Sequence, residues 1–315
     1  MSINRNVNLI KAIQPEVNRD AVRYNFSADI YAIGAGGGGE SAQTDAGNGI
    51  AGGGGGAGSA VSHSLSVVPN ITWTIEVGSG GASDTNGEDT TAIIYDDTYA
   101  GLVTLRAQGG LSPTNSGGGN QGSGSVETTA ATSSYSPFSG GAVSTSNAGG
   151  GAGATQDGGD GIPYDGNPNT GVGGIGGEGL DNFPFGIGTI DTAGGGGGGI
   201  NDSQIGLGLG TGGTGVDGGG NGGDAVTFNG NNATLYGAGG GGGSTDNITA
   251  GNGGAGSKGL VMLRFEGTIG TGSGEFDIEF TNASSSLDGS VSSIFFNEGA
   301  GTFRYNAPFP YVPGN

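Results

Sequence analysis

The chain lacks cysteine altogether and carries only one histidine and eight basic residues among its 315 positions. Without cysteine there is no disulfide framework, no thiolate metal site and no cysteine nucleophile. No stretch approaches the roughly 18 consecutive apolar residues of a membrane span, and Met1–Arg5 lacks the apolar core of a signal peptide. Proline is scarce and glycine does not recur at every third position, which excludes collagen. We therefore expect no membrane insertion.

Positive charge is scarce and unevenly placed. Acidic residues outnumber basic ones by 28 to 8, which gives a net charge of −20. A surface of this sign repels phosphate backbones, so we expect no nucleic acid partner. The segment 1–23 differs, because Arg5, Lys11, Arg19 and Arg23 outnumber the acidic residues there. We predict that this segment attaches the protein to a partner; folding back onto the chain's own acidic body is the open alternative.

Glycine, by contrast, supplies 80 of the 315 residues. Together with proline this content is typical of low-complexity or disordered chains. Much of the glycine is concentrated in uninterrupted runs, at 36–39, 52–56, 117–119, 149–151, 194–199, 218–220 and 239–243. Short segments with strand character lie between these runs, and we expect the glycine to be ordered.

The strand-like segments alternate apolar and polar residues with a period of two. The clearest is Tyr24–Ala32, and Trp73–Val77 repeats the pattern with threonine and glutamate on its other face. Further predicted strands are Val61–Val67, Thr91–Tyr95, Leu102–Ala107, Ala225–Phe228, Ala233–Tyr236 and Leu260–Phe265. Helical spacing is not convincing in this part of the chain, so the fold class is predicted to be all-β.

Ordering the glycine runs requires compensation from the backbone, because glycine loses more conformational freedom on folding than any other residue. Extended helices of the polyproline II type have three residues per turn and no internal hydrogen bonds. Packed side by side, such helices can pair every N–H and C=O with a neighbour, and only glycine permits that approach. We predict a short-stranded, sandwich-like β scaffold that carries packed polyglycine II-like helices and loops.

Three motifs in a fixed order give this pattern a family resemblance. A first strand runs directly into glycine at Asp29–Gly39, an aromatic strand ends in Val-Gly-Ser-Gly-Gly at Trp73–Gly81, and Leu235–Gly243 precedes a closing strand at Gly259–Phe265. The chain resembles, over about residues 24–266, the glycine-rich domain of bacteriophage tail-fibre proteins and fibre-tip adhesins. The resemblance implies that loops between glycine helices recognise a host receptor.

Residues 1–23 and 267–315 lie outside the resemblance. We interpret 1–23 as an attachment segment and 267–315 as a small aromatic-rich β segment or docking tail. In the latter, Phe276–Phe280 alternates and is predicted to pair with Ser293–Phe296 and Thr302–Tyr305. A unit this small is marginal alone. We expect it to dock on the chain's own scaffold, with a contact to a partner subunit as the alternative.

Catalytic and metal chemistry find little support in the sequence. At this glycine content GxGxxG-like matches arise by chance, and the single histidine, His63, lies at an alternating strand position where a packing role is favoured over a catalytic triad. Gly212–Asp217 matches the start of a calcium-binding β-roll repeat without a tandem copy. Asp157, Asp160 and Asp165 offer oxygen ligands, although ordinary turn aspartates are the favoured interpretation. We expect no enzyme activity, no cofactor and no metal site.

Aromatic residues interrupt the glycine at three turns without strand periodicity. They lie in Ser134–Phe138, Ile162–Pro168 and Asp181–Phe185, and the candidate receptor-binding residues are Tyr135, Phe138, Tyr164, Phe183 and Phe185. Rigid aromatics on projecting loops form contact surfaces at low entropic cost. The alternative is that they cap the glycine lattice as a small satellite core.

The favoured function is therefore a non-enzymatic virion protein, a tail-fibre or fibre-tip adhesin that binds a host surface protein or glycan. Several copies on the particle, as a homo-oligomer or as separate subunits, would add avidity. Segment 1–23 would attach it to other tail or fibre proteins. The alternative is a purely structural head, collar or tail component that makes intersubunit contacts. A bacterial surface protein is a third hypothesis, which the missing secretion signal disfavours.

Overall fold

The computed structural model describes residues 26–45, 48–67, 72–96, 101–114, 117–121, 124–127, 132–135, 138–144, 147–163, 171–185, 188–201, 210–246, 248–266, 277–281, 283–288 and 291–306. Within these ranges the chain forms strands and no helix, which confirms the all-β prediction. None of these residues therefore belongs to a helix able to cross a bilayer. The strands are β1 (Phe26–Ile33), β2 (Gln43–Asp45), β3 (Asn48–Ile50), β4 (Ala60–Val67), β5 (Thr72–Val77), β6 (Thr90–Asp96), β7 (Gly101–Ala107), β8 (Gly124–Glu127), β9 (Thr132–Tyr135), β10 (Leu180–Phe185), β11 (Gly188–Thr192), β12 (Leu260–Glu266), β13 (Asp277–Thr281), β14 (Ala283–Asp288), β15 (Val291–Phe296) and β16 (Gly299–Asn306).

Two antiparallel sheets pack face to face as a sandwich. One has the order β14-β15-β12-β1-β4 and the other the order β13-β16-β5-β6-β7-β8-β9. Alternation places one face of each strand inside, as in β5, where Trp73, Ile75 and Val77 are buried and the residues between them are exposed. The core consists of Ala28, Ile30, Ala32, Val61, Trp73, Ile75, Val77, Ala92, Ile94, Val103, Leu105, Ala107, Val261, Leu263, Ile294 and Phe296.

The C-terminal strands complete both sheets rather than forming a separate unit. Strand β13 pairs with β16, and β16 pairs with β5 in the larger sheet. Strand β14 pairs with β15, and β15 pairs with β12 in the smaller sheet. The predicted pairing of Phe276–Phe280 with Thr302–Tyr305 is therefore observed for residues 277–280, while Phe276 lies outside the described residues; Ser293–Phe296 joins the opposite sheet. Of the two predicted docking partners, the chain's own scaffold is the one observed.

A second core covers the outer face of the smaller sheet. The hairpin β10–β11 and the ends of several glycine runs pack against that face. The buried members are Ile33, Ala57, Phe183, Ala193, Leu260, Met262 and Phe295, with Tyr31, Leu180, Ile190 and Tyr236 partly buried beside them. The smaller sheet is thus covered on one face by the larger sheet and on the other by hairpin β10–β11 and the ends of several glycine runs.

Two predicted strands in the glycine-rich part are wrong. Ala225–Phe228 contains a turn at 225–227, and Ala233–Tyr236 runs into another turn at 236–237. The carboxylate of Asp224 accepts hydrogen bonds from the backbone of Val226 and Thr227, and this local bonding outweighs a four-residue alternation. At the second site Gly237 has a φ of 70°, a backbone conformation that ends any strand there and that glycine adopts readily.

Candidate functional site: the glycine-run bundle and its distal turns

Between the strands, the chain leaves the sandwich and returns to it in extended glycine-rich segments, here called runs. They occupy 34–42, 51–59, 78–82, 86–89, 108–113, 117–121, 138–144, 147–154, 156–162, 171–179, 193–201, 210–216, 217–223, 229–235, 237–244 and 250–259. Together these runs form the glycine-run bundle. Apart from a few isolated bridges and turns they carry no regular sheet pairing, yet they hydrogen-bond extensively to one another.

The hydrogen bonds of run 193–201 repeat every three residues. Gly196 and Gly199 donate to run 51–59, Gly195 and Gly198 donate to run 171–179, and Gly194 and Gly197 donate to run 217–223, with N···O distances of 2.9–3.4 Å. The same period recurs where run 34–42 meets run 250–259 through 36–257, 39–254 and 42–251. Successive residues therefore face three different neighbours, and every third residue returns to the same one.

Carbonyl groups extend the contacts of run 193–201 to three further neighbours. Its oxygens accept hydrogen bonds from runs 147–154, 210–216 and 237–244. This run is consequently bonded to six others and is surrounded on all sides. A Cβ atom at Gly196 would meet the backbone carbonyl of Gly240 far inside any real contact distance, so close packing here requires glycine.

The runs carry several turns to the end of the bundle farthest from the sandwich. Run 34–42 leaves β1 and reaches the hairpin β2–β3, from which run 51–59 returns to β4. The turns at 224–228 and 245–250 lie at the same end, because the Ser244 amide donates to the Phe228 carbonyl and Asn201, which is bridged to Thr245, donates its side-chain amide to the Gly49 carbonyl. We call β2–β3, 224–228 and 245–250 the distal turns.

Each distal turn presents an exposed aliphatic side chain. The exposed fraction is 89% for Ile248, 76% for Val226 and 43% for Ile50. Two of the turns share one design, in which an aspartate begins the turn and the aliphatic residue follows two positions later. Asp224 Oδ1 accepts from the Val226 amide at 2.8 Å, and Asp246 Oδ1 accepts from the Ile248 amide at 3.0 Å. The side-chain–backbone bond fixes the tip and points its side chain outward.

Backbone hydrogen bonds within the two turns lower the pKa of both carboxyl groups. For Asp224 the main cause is the hydrogen bond from the Thr227 backbone, and for Asp246 it is the hydrogen bond from the Thr249 backbone. A donor that binds the charged form favours that form. The two carboxylates therefore stabilise the folded turns above the ordinary aspartate pKa, and that stabilisation is lost as the pH falls through the lowered values.

We expect the variant with both Asp224→Asn and Asp246→Asn to be less stable than the wild type near neutral pH and equally stable in strong acid. Asparagine keeps an acceptor oxygen in each turn but removes the charge. The melting temperatures of both proteins, measured between about pH 7 and pH 2, should converge as the pH falls. A difference that stays constant over this range would contradict the assignment.

The residues predicted to bind a receptor lie in different environments. Phe138 is half-buried, and its backbone amide and carbonyl both bond to Gln121. Tyr135 ends β9 and Phe185 ends β10, and both side chains, like all of Tyr164, lie outside the described residues. The predicted attachment residues Arg5, Lys11, Arg19 and Arg23 lie outside them as well.

Phe183 is the one candidate whose side chain is placed in a core. It is buried beneath hairpin β10–β11, and its ring meets the ring of Tyr31 edge-on at a centroid distance of 5.5 Å. The pKa of Tyr31 is raised, chiefly by this burial and secondarily by the nearby Asp29 carboxylate. A buried ring offers no surface to a receptor, so for Phe183 the structure favours the satellite-core alternative.

The aspartates considered for calcium bind backbone amides instead. Asp157 accepts from the Ser139 amide and Asp160 from the Ala142 amide, each at 2.6 Å, and Asp165 lies outside the described residues. A different set, Asp181, Asp191 and Asp217, brings its carboxylate oxygens within 4.8 Å of one another. Two of these also accept backbone hydrogen bonds, Asp191 from Asn182 and Asp217 from Gly179. Backbone bonding therefore accounts for much of this clustering.

The exposed aliphatic tips were missed by sequence reasoning that followed aromatic residues. Their signal is a repeated pattern, Asp-x-aliphatic-Thr, which occurs at Asp224–Thr227 and at Asp246–Thr249. An aspartate in this position predicts an Asx turn, and the aliphatic residue then falls at its tip.

Comparison with known proteins adds one finding. No curated protein matches this chain. A protein-family model described as a glycine-rich domain matches residues 21–266, a range that includes all the glycine runs and strands β1 to β12. The match covers most of the 315 residues. The chain therefore belongs to the glycine-rich domain family.

Proposed function

We propose that the protein is a non-enzymatic bacteriophage adhesin of a tail fibre or fibre tip, whose glycine-run bundle holds the distal turns against a receptor on the host surface. The observation that carries this proposal is the placement of Ile50, Val226 and Ile248. They are exposed aliphatic side chains at one end of the bundle, on turns fixed by backbone hydrogen bonds. Exposed apolar side chains on rigid turns can serve as anchors of a binding surface.

The runs of the bundle are, in this proposal, polyglycine II-like helices. A period of three in the hydrogen-bond partners supports this, because it equals the three residues per turn of such a helix. The surrounding of run 193–201 by six hydrogen-bonded neighbours supports it further. Because bonds run in every lateral direction, the bundle would resist bending and would hold the distal turns in one arrangement. A preorganised surface loses little entropy on binding.

The proposed partners follow from the same architecture. The tips would bind a host surface protein or glycan, several copies per particle would raise the avidity, and the basic segment 1–23 would join the protein to other tail or fibre proteins. The proposed location is the virion. Net charge of −20 supports a partner other than nucleic acid.

The alternative proposal, a purely structural virion component, has its own supporting observation. The outer face of the larger sheet exposes Leu102 (60%) and Ile93 (41%) on strands β7 and β6. In that case the sheet face, not the distal turns, would contact a neighbouring subunit of the particle.

We expect the change of Val226 and Ile248 to serine to reduce binding of the protein to host cells at least about tenfold, since two anchors of about 1 kcal/mol or more would be lost. The melting temperature should stay within a few degrees of the wild type, because exposed side chains contribute little to stability. Cell adsorption and thermal melting are the two measurements.

The matched control changes Ile93 and Leu102 to serine on the sheet face. Under the adhesin proposal this control binds cells normally. If the control instead fails to assemble onto particles while the distal-turn variant behaves as the wild type, the structural alternative replaces the adhesin. A third variant, Tyr135, Tyr164 and Phe185 to alanine, tests the predicted aromatic contacts in the same assay.

A further inference from the structure

Exposed asparagine and aspartate side chains on the outer runs bond to the backbone of the next outer run. In one pair of runs, Asn229 Oδ1 accepts from the Asn252 amide and Asn232 Oδ1 accepts from the Ala255 amide, both at 2.8 Å. The two asparagines are three residues apart, and so are the two amides. The spacing equals the period of the bundle.

A second pair of outer runs repeats the arrangement with aspartate. Asp157 and Asp160, again three residues apart, accept from the amides of Ser139 and Ala142. Single examples of the same bond join Asn86 to Ser112, Asn120 to Gly140 and Asn221 to Gly215. These side chains are all exposed.

The difference between inner and outer runs explains where these side-chain bonds occur. In run 193–201, inside the bundle, the successive amides of residues 194–199 all donate to carbonyls of neighbouring runs, and every third amide donates to the same run. The outward-facing amides of an outer run have no further run to donate to. A side-chain oxygen of the adjacent run accepts their hydrogen bonds in place of a backbone carbonyl. Amides left open along an extended segment would form an edge to which another chain can pair, as an open β-edge does.

We propose that these Asn and Asp side chains close the bundle laterally and thereby prevent the outer runs of a second copy of this chain from adding to it. The partner excluded is specific: a glycine run of another copy, whose carbonyls match the same three-residue period. Bundle size would thus be limited by side chains placed on the last layer, and copies would associate only through other surfaces. This inference rests on the hydrogen bonds of the bundle and is independent of the receptor-binding proposal.

The test uses the full chain with Asn229 and Asn232 both changed to glycine, which removes two acceptors and leaves a run of backbone only. Sedimentation velocity over a range of protein concentrations compares it with the wild type. We expect additional species of at least about twice the wild-type mass, growing with concentration, as repeated contacts between equal copies produce. A folded variant whose mass distribution equals that of the wild type would overturn the proposal.

Two matched variants separate capping from its alternatives. Asn229→Asp with Asn232→Asp keeps both acceptors and should sediment as the wild type. Asp157→Asn with Asp160→Asn keeps the acceptors but removes two negative charges; if it associates as strongly as the glycine pair, charge repulsion rather than capping keeps copies apart, and the proposal fails. Should the glycine pair not fold, Asn229→Ala with Asn232→Ala removes the acceptors without adding flexibility, and the same mass comparison decides.

Discussion

Replacement of Gly196 by alanine should prevent folding at 25 °C. The added Cβ would lie against the carbonyl of Gly240 and close to that of Gly239, all backbone atoms that are themselves hydrogen-bonded. No side chain can rotate away, so either the run shifts or its bonds break. We expect a loss of more than about 4–5 kcal/mol in the free energy of unfolding, the range reached only by severe core disruptions. Circular dichroism and urea unfolding of the purified variant measure it.

Gly117 provides the matched control within the same bundle. A Cβ there would meet its nearest atoms, the carbonyl oxygens of Gly141 and Thr114, at 3.8 Å, an ordinary contact distance. Gly117→Ala should therefore change the free energy of unfolding by less than about 1 kcal/mol, with a slight gain from the stiffer unfolded chain. Equal behaviour of the two alanine variants would show that the runs are ordinary loops and not closely packed.

The second large effect is expected in the sandwich, where Phe296→Ala should cost about 3–5 kcal/mol of stability. Phe296 is fully buried in the core between the sheets. It lies on β15, the C-terminal strand that pairs with β12. Its removal leaves a cavity in the core beneath β15, the strand through which β14 and β12 are joined in the smaller sheet. Ending the chain after Glu266 should be more severe, because β12 and β5 would both lose a hydrogen-bonded neighbour.

Leu102→Ala serves as the control for this prediction, since Leu102 is mostly exposed on the outer sheet face. Its effect should stay within about 0.5 kcal/mol. Chemical denaturation of both variants gives the comparison. A Phe296 variant as stable as the Leu102 variant would mean that the C-terminal strands do not belong to the cooperative core.

The sandwich strands could be predicted because their side chains carry the pattern. Apolar alternation in Trp73–Val77 identifies β5, and the short apolar run at Leu260–Phe265 identifies β12, each within a residue or two. Strand β14, Ala283–Asp288, is half serine and gives no such signal, and its place in the sheet comes from its pairing with β15. Pairing of this kind depends on residues elsewhere in the chain.

The pairing of glycine runs could not be predicted for a different reason. Runs such as 52–56 and 194–199 consist of one residue type, so nothing in either sequence selects its partner or register. The partners follow from where the flanking strands place the ends of each run. Phe183 was assigned to a projecting loop for a related reason, because the strand that it belongs to contains a bulge between Leu180 and Phe183 and does not alternate.

The distal turns could be predicted only in part. Their Asx turns were recognisable from Asp224 and Asp246, but which end of the bundle they occupy depends on the run pairing, and only that pairing brings Val226 and Ile248 to the same end as Ile50. The aromatic pattern selected different residues, because aromatic rings suit both a receptor contact and a satellite core.

The pairing of β16 with β5 has a consequence for the order in which the protein is made. Residue 303 lies opposite Trp73, the only tryptophan of the chain, so the strand beside that indole arrives more than 200 residues later in synthesis. At roughly 5–20 residues per second, the larger sheet waits many seconds on the ribosome for its final strand. Tryptophan emission should therefore include a late change: the indole is 1% exposed in the finished protein, and the core around it includes Ile294 and Phe296 of the C-terminal strand β15, so it cannot be fully buried before these strands are made.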